Sequence, residues 1–199
     1  MEKIVITGMG TVNPLGVTVE ESWRNVVNGM SGVGPITLFD PAVLNVHFAA
    51  EVKDFAPENY MDAKEARRRD RFEQLGVAAA KDAIASSGLE ITEANAGRIG
   101  VLVSSAIGGI KSLSDAVITN HTEGPRRVSP FLIPMLMPNG AAGMIAIDLQ
   151  VKGPCFSVAS ACASGADGIG TAWLMLKAGM IDVALAGAAE STVCSVGVA

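Results

Sequence analysis

The sequence has few aromatic residues, few cysteines and no long uninterrupted hydrophobic run. Only 5% of its 199 residues are Phe, Trp or Tyr, although 49% are hydrophobic. Most of its apolar side chains are therefore small and aliphatic, which suits closely packed helices and buried strands. Its three cysteines are Cys155, Cys162 and Cys194. An odd number in apolar surroundings favours reduced thiols, excludes a disulfide-stapled miniprotein and predicts a cytoplasmic protein.

The sequence also has no excess of positive charge. With 15 Lys and Arg against 20 Asp and Glu, the net charge is -5, so the chain as a whole is not attracted to nucleic acid or anionic lipid, and any basic patch must be local. The longest apolar stretch, residues 169–189, is interrupted by Lys177 and Asp182, which argues against a membrane helix. The first residues show no secretory signal. We therefore expect no nucleic-acid and no membrane partner.

Short apolar runs alternate with helical patterns along the chain. Strands are predicted at residues 3–7, 99–104, 156–160 and 182–187, and helices at 20–27, 63–87, 139–149 and 166–177. The stretch from 31 to 57 is rich in Pro and Gly and predicts a long surface excursion. This alternation predicts an α/β layered fold with a largely parallel sheet.

Cys162 lies where a predicted strand turns into a helix of small residues. The unpaired amides at the start of that helix would point toward its sulfur, an environment typical of reactive thiolates. The small neighbours Ala161, Ala163 and Gly165 leave room for a substrate, and the order strand, turn, nucleophile, helix is typical of an activated nucleophile. From spacing alone, a core cysteine is the alternative.

Several motifs occur in an order that is more specific than any one of them. They are residues 4–10, 14–16, 67–72, 108–109, 124–131, 138–142, 153–154, 160–165 and 186–190. Together they resemble the elongating β-ketoacyl-acyl carrier protein synthases over the whole chain, with Ala188 in place of a common glycine. The resemblance implies a thiolase-like layered αβ fold of two similar halves, in which residues 1–199 are the N-terminal ketoacyl synthase domain. Because the chain ends without a stop signal, we expect its C-terminal half to be absent.

The resemblance also implies the chemistry. Cys162 would accept an acyl chain from a carrier protein as a thioester, and the carbanion left when malonyl-carrier loses carbon dioxide would attack it to give a 3-oxoacyl carrier. The family's two histidines and lysine, and one of its two oxyanion amides, would come from the missing half, so this chain alone is expected to be inactive. His47 and His121 precede Cys162 in loop-like sequence, match neither histidine and are expected to be surface or structural residues.

Two further sets of residues follow from the resemblance. Carrier docking is implied at the basic residues Lys64, Arg67, Arg68, Arg126 and Arg127, because acidic carrier helices need a cationic patch. Ordinary solvated charge is the alternative for these residues. Ile107 and Leu132 are implied to line the acyl pocket, with plain core packing as the alternative.

No cofactor and no metal is expected. No Cys, His and Asp cluster has metal-ligand spacing. The segment Gly8-Met9-Gly10 lacks the third glycine of a dinucleotide fingerprint, because Asn13 stands at that position.

The sequence thus supports two hypotheses. The first is an acyltransferase that condenses acyl and malonyl thioesters in fatty acid biosynthesis, homodimeric in its full-length form, or a related polyketide ketosynthase. A degradative thiolase fits the motif order and the basic residues less well. The second hypothesis is a non-catalytic carrier-binding or dimerisation fragment, and acylation of Cys162 separates the two.

Overall fold

The structure is a computed structural model that describes residues 3–199. Its helices are α1 (Val19–Val27), α2 (Ala63–Ala66), α3 (Arg71–Ser87), α4 (Ile110–Thr122), α5 (Leu132–Leu136), α6 (Gly140–Leu149), α7 (Ser164–Lys177) and α8 (Ser195–Val198). Its strands are β1 (Val33–Pro35), β2 (Phe48–Ala50), β3 (Ile99–Ser104) and β4 (Val183–Ala188). Within the described residues, no helix is both long enough and apolar enough to cross a membrane.

The centre of the fold is the parallel pair of β3 and β4. The two strands pair in register from Ile99 opposite Val183 to Ser104 opposite Ala188. Every residue of β3 is buried, as expected for a continuous apolar strand in an α/β protein. The strands predicted at 99–104 and 182–187 are confirmed.

Helices cover both faces of this pair, because successive side chains of a strand point to opposite sides. Val101 and Val103 pack in one apolar cluster with residues of α3 and α6. Leu102 packs in a second cluster with Ala172 and Met175 of α7. The helices predicted at 139–149 and 166–177, and the layered α/β class itself, are confirmed.

The single helix predicted at 63–87 is wrong in its first part, where the structure has two helices, α2 and α3. Asp70 causes the break. Its carboxylate accepts a hydrogen bond from the N–H of Phe72 at 3.1 Å, and the carboxylate of Glu73 accepts one from the N–H of Asp70 at 2.9 Å. This reciprocal capping box begins a new helix at Arg71.

Two predicted strands are wrong. Residues 3–12 form no strand, and Val5 and Ile6 are 70% and 84% exposed. They line a cavity of about 1190 Å³ together with residues of α3, α7 and β4. The strand predicted at 156–160 is absent, and only two isolated bridges lie nearby, one between Val101 and Cys155 and one between Ser160 and Cys162.

A side-chain hydrogen bond explains why that second ladder stops. The N–H of Phe156 donates to the carbonyl of Val101 at 3.1 Å. Two residues later, the N–H of Val158 donates instead to the side-chain Oγ of Ser104 at 3.1 Å. The chain therefore leaves the sheet before it reaches Cys162.

Some elements were not predicted. The surface excursion at 31–57 contains the antiparallel pair β1–β2. The helix α4 was also not predicted, and none of its residues is buried. His121, predicted to lie in a loop, is in the last turn of α4, and it is exposed.

Candidate active site

Cys162 lies in a tight turn immediately before α7. Ala161 adopts the left-handed backbone conformation at φ 53, which is uncommon for a residue with a side chain. The N–H of Ala163 donates to the carbonyl of Ser160 at 3.2 Å, and the N–H of Ser164 donates to the carbonyl of Ala161 at 3.0 Å. Cys162 is exposed in this turn, so the structure has the turn and the helix that the sequence predicts, without the strand predicted before them. We call the turn at 160–164 the elbow.

Side chains also bridge this turn. The Oγ of Ser164 accepts a hydrogen bond from the N–H of Ser160 at 2.9 Å and donates one to the carbonyl of Ala161 at 2.7 Å. Ser164 is only 2% exposed. The hydroxyl of Ser160 donates in turn to the carboxylate of Asp167, in the first turn of α7.

Two glycines place this elbow at the carboxyl ends of the parallel strands. A Cβ at Gly168 would lie 2.9 Å from the Oγ of Ser104, the last residue of β3, and a Cβ at Gly165 would lie 2.8 Å from the Cβ of Ala188, the last residue of β4. Because neither residue has a side chain, the start of α7 packs directly on the strand ends. Ligands of open α/β sheets bind at this edge.

The other two cysteines are poorer nucleophile candidates. Cys155 is exposed as a residue, but burial raises the pKa of its thiol, which disfavours the thiolate that reacts. Cys194 is buried, at 6% exposure. Of the three, only Cys162 combines exposure with a position before a long helix.

Glu190, which follows β4, holds the turn that contains Ile107. Its Oε2 accepts hydrogen bonds from the hydroxyl of Ser105 at 3.1 Å and from the N–H groups of Ala106 at 2.8 Å and Ile107 at 3.3 Å. The turn ends at Gly108, which has φ 78. Glu190 was not predicted as a site residue, although it ends the motif at 186–190 and closely follows a buried strand.

The two residues implied to line an acyl pocket have different surroundings. Leu132, the first residue of α5, lines a groove of about 360 Å³ together with Leu113 and Val117 of α4. Ile107 is 48% exposed and does not line that groove. Ile107 therefore lies outside the groove that Leu132 lines.

The five basic residues lie in two segments, 64–68 and 126–127, and a contact between Arg68 and Phe131 connects these segments. Lys64, Arg67, Arg126 and Arg127 are exposed, and Arg68 is half-buried. The guanidinium of Arg68 stacks 4.6 Å from the centre of the Phe131 ring, a cation–π contact that links the group at 64–68 to the segment containing Arg126 and Arg127. We call these five residues the basic patch.

Much of the charge on the basic patch is not neutralised locally. Arg68 is 3.2 Å from a carboxylate oxygen of Glu65, and Arg127 is 3.4 Å from one of Glu123. For Lys64, Arg67 and Arg126, no carboxylate among residues 3–199 lies within ion-pair distance. The charge of this surface is complementary to that of an acidic surface.

The histidines stand apart from this site. His47 is exposed, and its Nε2 is 2.7 Å from the carbonyl of Leu44. His121 is exposed on α4. No group of three metal-ligating side chains in the described part of the chain is arranged to hold a metal ion.

Comparisons with known proteins bear on this site. The family model described as "Beta-ketoacyl synthase, N-terminal domain" matches residues 1–199. The 3-oxoacyl-[acyl-carrier-protein] synthase 2 of Staphylococcus aureus (strain COL) is 41% identical over 198 residues, which is 100% of this chain and 48% of that protein. The synthase of the same name from Synechocystis sp. is 40% identical over 192 residues, 96% of this chain and 46% of that protein.

A solved structure shows the same fold. The ishigamide ketosynthase/chain length factor superposes with a TM-score of 0.88 at 27% identity, over 97% of this chain and 48% of that one. The chain thus spans about half the length of the curated relatives that it matches.

Proposed function

Because the chain belongs to the β-ketoacyl synthase family by its N-terminal domain, we propose that it supplies the nucleophile of a condensing acyltransferase. The observation that carries this proposal is the elbow at Cys162, where an exposed thiol lies before α7 and at the carboxyl ends of β3 and β4. The thiolate of Cys162 attacks the carbonyl carbon of an acyl-carrier thioester. The new bond joins Sγ to the acyl carbon, the old carbon–sulfur bond breaks, and the carrier thiolate leaves and takes up a proton.

An acyl carrier protein is the proposed donor. Relatives at 40% and 41% identity are named for the acyl-carrier-protein. The basic patch matches the charge of an acidic carrier surface. Ile107 and Leu132 are proposed to contact the acyl chain, and neither a metal nor a cofactor takes part in the transfer.

The remaining steps are assigned to the full-length protein. There, malonyl-carrier loses carbon dioxide, and its carbanion attacks the Cys162 thioester to give the 3-oxoacyl carrier. We propose that residues 1–199 form one domain, that the electrophilic histidines lie in the other half, and that the full-length protein is a cytoplasmic homodimer. Fatty acid biosynthesis is favoured over polyketide synthesis, because relatives at 40% and 41% identity are named 3-oxoacyl-[acyl-carrier-protein] synthase 2.

Acyl transfer to Cys162 tests the proposal. The full chain is incubated with an acyl-carrier protein, and its mass is measured intact and after digestion. We expect one acyl adduct, on the peptide that contains Cys162. The adduct should be lost in Cys162→Ala and retained in Cys155→Ala, the matched control.

The same experiment separates the enzyme from the binding-module hypothesis. A chain that binds the carrier in a titration but never acquires the adduct would be a non-catalytic carrier-binding fragment. An adduct of equal yield in Cys162→Ala would mean that another residue is the nucleophile.

A further inference from the structure

We infer that Ser164 is the positioning residue of the nucleophile, because its hydroxyl holds Ala161 in the left-handed conformation that directs Cys162 outward. The effect of Ser164 on acyl transfer rests on the proposed function. The geometry on which it depends is independent of the substrate.

The hydroxyl of Ser164 connects both sides of the turn. It accepts a hydrogen bond from the N–H of Ser160, before Ala161, and donates one to the carbonyl of Ala161 itself. The same carbonyl also accepts the N–H of Ser164 at 3.0 Å. One side chain therefore fixes the peptide unit before Ser160 and the peptide unit after Ala161, and so brackets the left-handed residue.

This is not ordinary helix capping. A capping side chain accepts hydrogen bonds from amides further into its own helix. The N-cap of α7 is Ala163, which has no side-chain hydrogen bond, and the hydroxyl of Ser164 points back to the elbow instead. The hydroxyl of Ser164 bonds residues that precede the helix, so it stabilises the turn at 160–164 rather than α7.

Burial makes these two hydrogen bonds difficult to replace. Ser164 is 2% exposed, so water cannot readily take the place of its hydroxyl if the side chain is shortened. The left-handed conformation of Ala161 is unfavourable for a residue with a Cβ and persists only where its surroundings enforce it. Without the hydroxyl, the turn should relax, and the thiol of Cys162 should move with it.

The test compares three variants of the full chain. Ser164→Ala removes the hydroxyl, Ser164→Thr keeps it, and Thr171→Ala is the matched control. Thr171 is a half-buried residue of α7 whose hydroxyl donates to the backbone carbonyl of Asp167 at 2.7 Å, remote from the turn at Ala161. The rate of alkylation of Cys162 by iodoacetamide is followed by peptide mass, well below the melting temperature of each variant.

We expect Ser164→Ala to slow alkylation by about tenfold or more, since a small misplacement of a reacting group costs this much. Ser164→Thr should stay within about threefold of the unmodified chain, and Thr171→Ala should not change the rate. In acyl transfer from the carrier, kcat should fall in Ser164→Ala while KM stays constant, because the basic patch is untouched.

Several results would overturn the inference. They are an unchanged alkylation rate in folded Ser164→Ala, an equal loss in Thr171→Ala, and an increase in KM without a decrease in kcat. If Ser164→Ala does not fold, Ser164→Thr decides, and a folded Thr variant that is about tenfold slower contradicts it. If the unmodified chain is never acylated but Ser164→Ala still slows alkylation, the proposed function fails and the role of Ser164 stands.

Discussion

The carboxylate of Glu190 holds the backbone of Ile107. Their hydrogen bond of 3.3 Å joins residues that are 83 positions apart in the sequence. Glu190 also accepts the N–H of Ala106 at 2.8 Å, so a residue that follows β4 determines the conformation of the turn that follows β3. The position of Ile107, which is proposed to contact the acyl group, thus depends on a hydrogen bond from its backbone to Glu190.

Removing this carboxylate should change which acyl chains are accepted. In Glu190→Ala, the turn at 105–107 loses three hydrogen bonds, and Ile107 is freer to move. We expect the ratio of Cys162 acylation rates for long and short acyl-carriers to change by about threefold or more. Glu190→Gln, which keeps one acceptor oxygen, should change the ratio less. Identical ratios in all three proteins would show that the turn does not influence selectivity.

Charge reversal in the basic patch should weaken carrier docking selectively. With Arg67→Glu and Arg127→Glu combined, the apparent KM for acyl-carrier should rise about tenfold or more, because two attractive contacts become repulsive. The KM for a small acyl thioester should stay nearly constant. Lys152→Glu, a charge outside the patch, is the matched control, and equal increases for both substrates would contradict docking at this surface.

The buried carboxyl of Glu73 should make stability depend on pH. Burial raises the pKa of Glu73 to about 7, although the hydrogen bond from the Asp70 N–H opposes the shift. Because the folded state holds this proton more tightly than the unfolded state, the stabilising contribution is complete below the ordinary glutamate pKa of 4.5 and is lost as the pH rises through about 7. Glu73→Gln should flatten this dependence by up to about 3 kcal/mol.

The measurement is urea unfolding at about pH 5 and about pH 8, with Glu51→Gln as the contrasting variant. Glu51 is also buried, but hydrogen bonds from Thr37 and Leu38 outweigh the effect of burial and lower its pKa. Its stabilising contribution is therefore lost only as the pH falls below the ordinary pKa of 4.5, so Glu51→Gln should leave the difference in stability between about pH 5 and about pH 8 nearly unchanged. If both substitutions change the pH dependence in the same direction, the assignment for Glu73 is wrong.

Local patterns predicted what depends on one segment alone. We predicted β3 and the small-residue helix after Cys162 because each has its pattern of apolar or small residues within one continuous segment. The break before α3 was missed because it depends on the capping box of Asp70 and Glu73, which interrupts a continuous helical pattern. A capping residue inside a charged run is easily taken for another solvated charge.

Longer-range features could not be predicted from local patterns. The strand expected after Cys155 stops because Ser104 supplies a side-chain acceptor to Val158, a contact between residues 54 positions apart. The role of Glu190 likewise needs two segments to be adjacent. The sequence predicted that Cys162 precedes a helix. It did not predict the hydrogen bonds of the Ser164 hydroxyl to Ser160 and Ala161, because these depend on the conformation of the turn.

The parallel pairing of β3 with β4 also determines when the thiol can become functional during folding. Arg98 and Asp182, which flank the start of the pair and bond each other, are 84 residues apart. Closing so long a loop costs chain entropy before any strand contact is made, which slows folding. The elbow and α7 lie inside that loop, and Gly165 and Gly168 pack on the ends of both strands. A nascent chain therefore presents a correctly oriented Cys162 only after residue 188 has emerged from the ribosome.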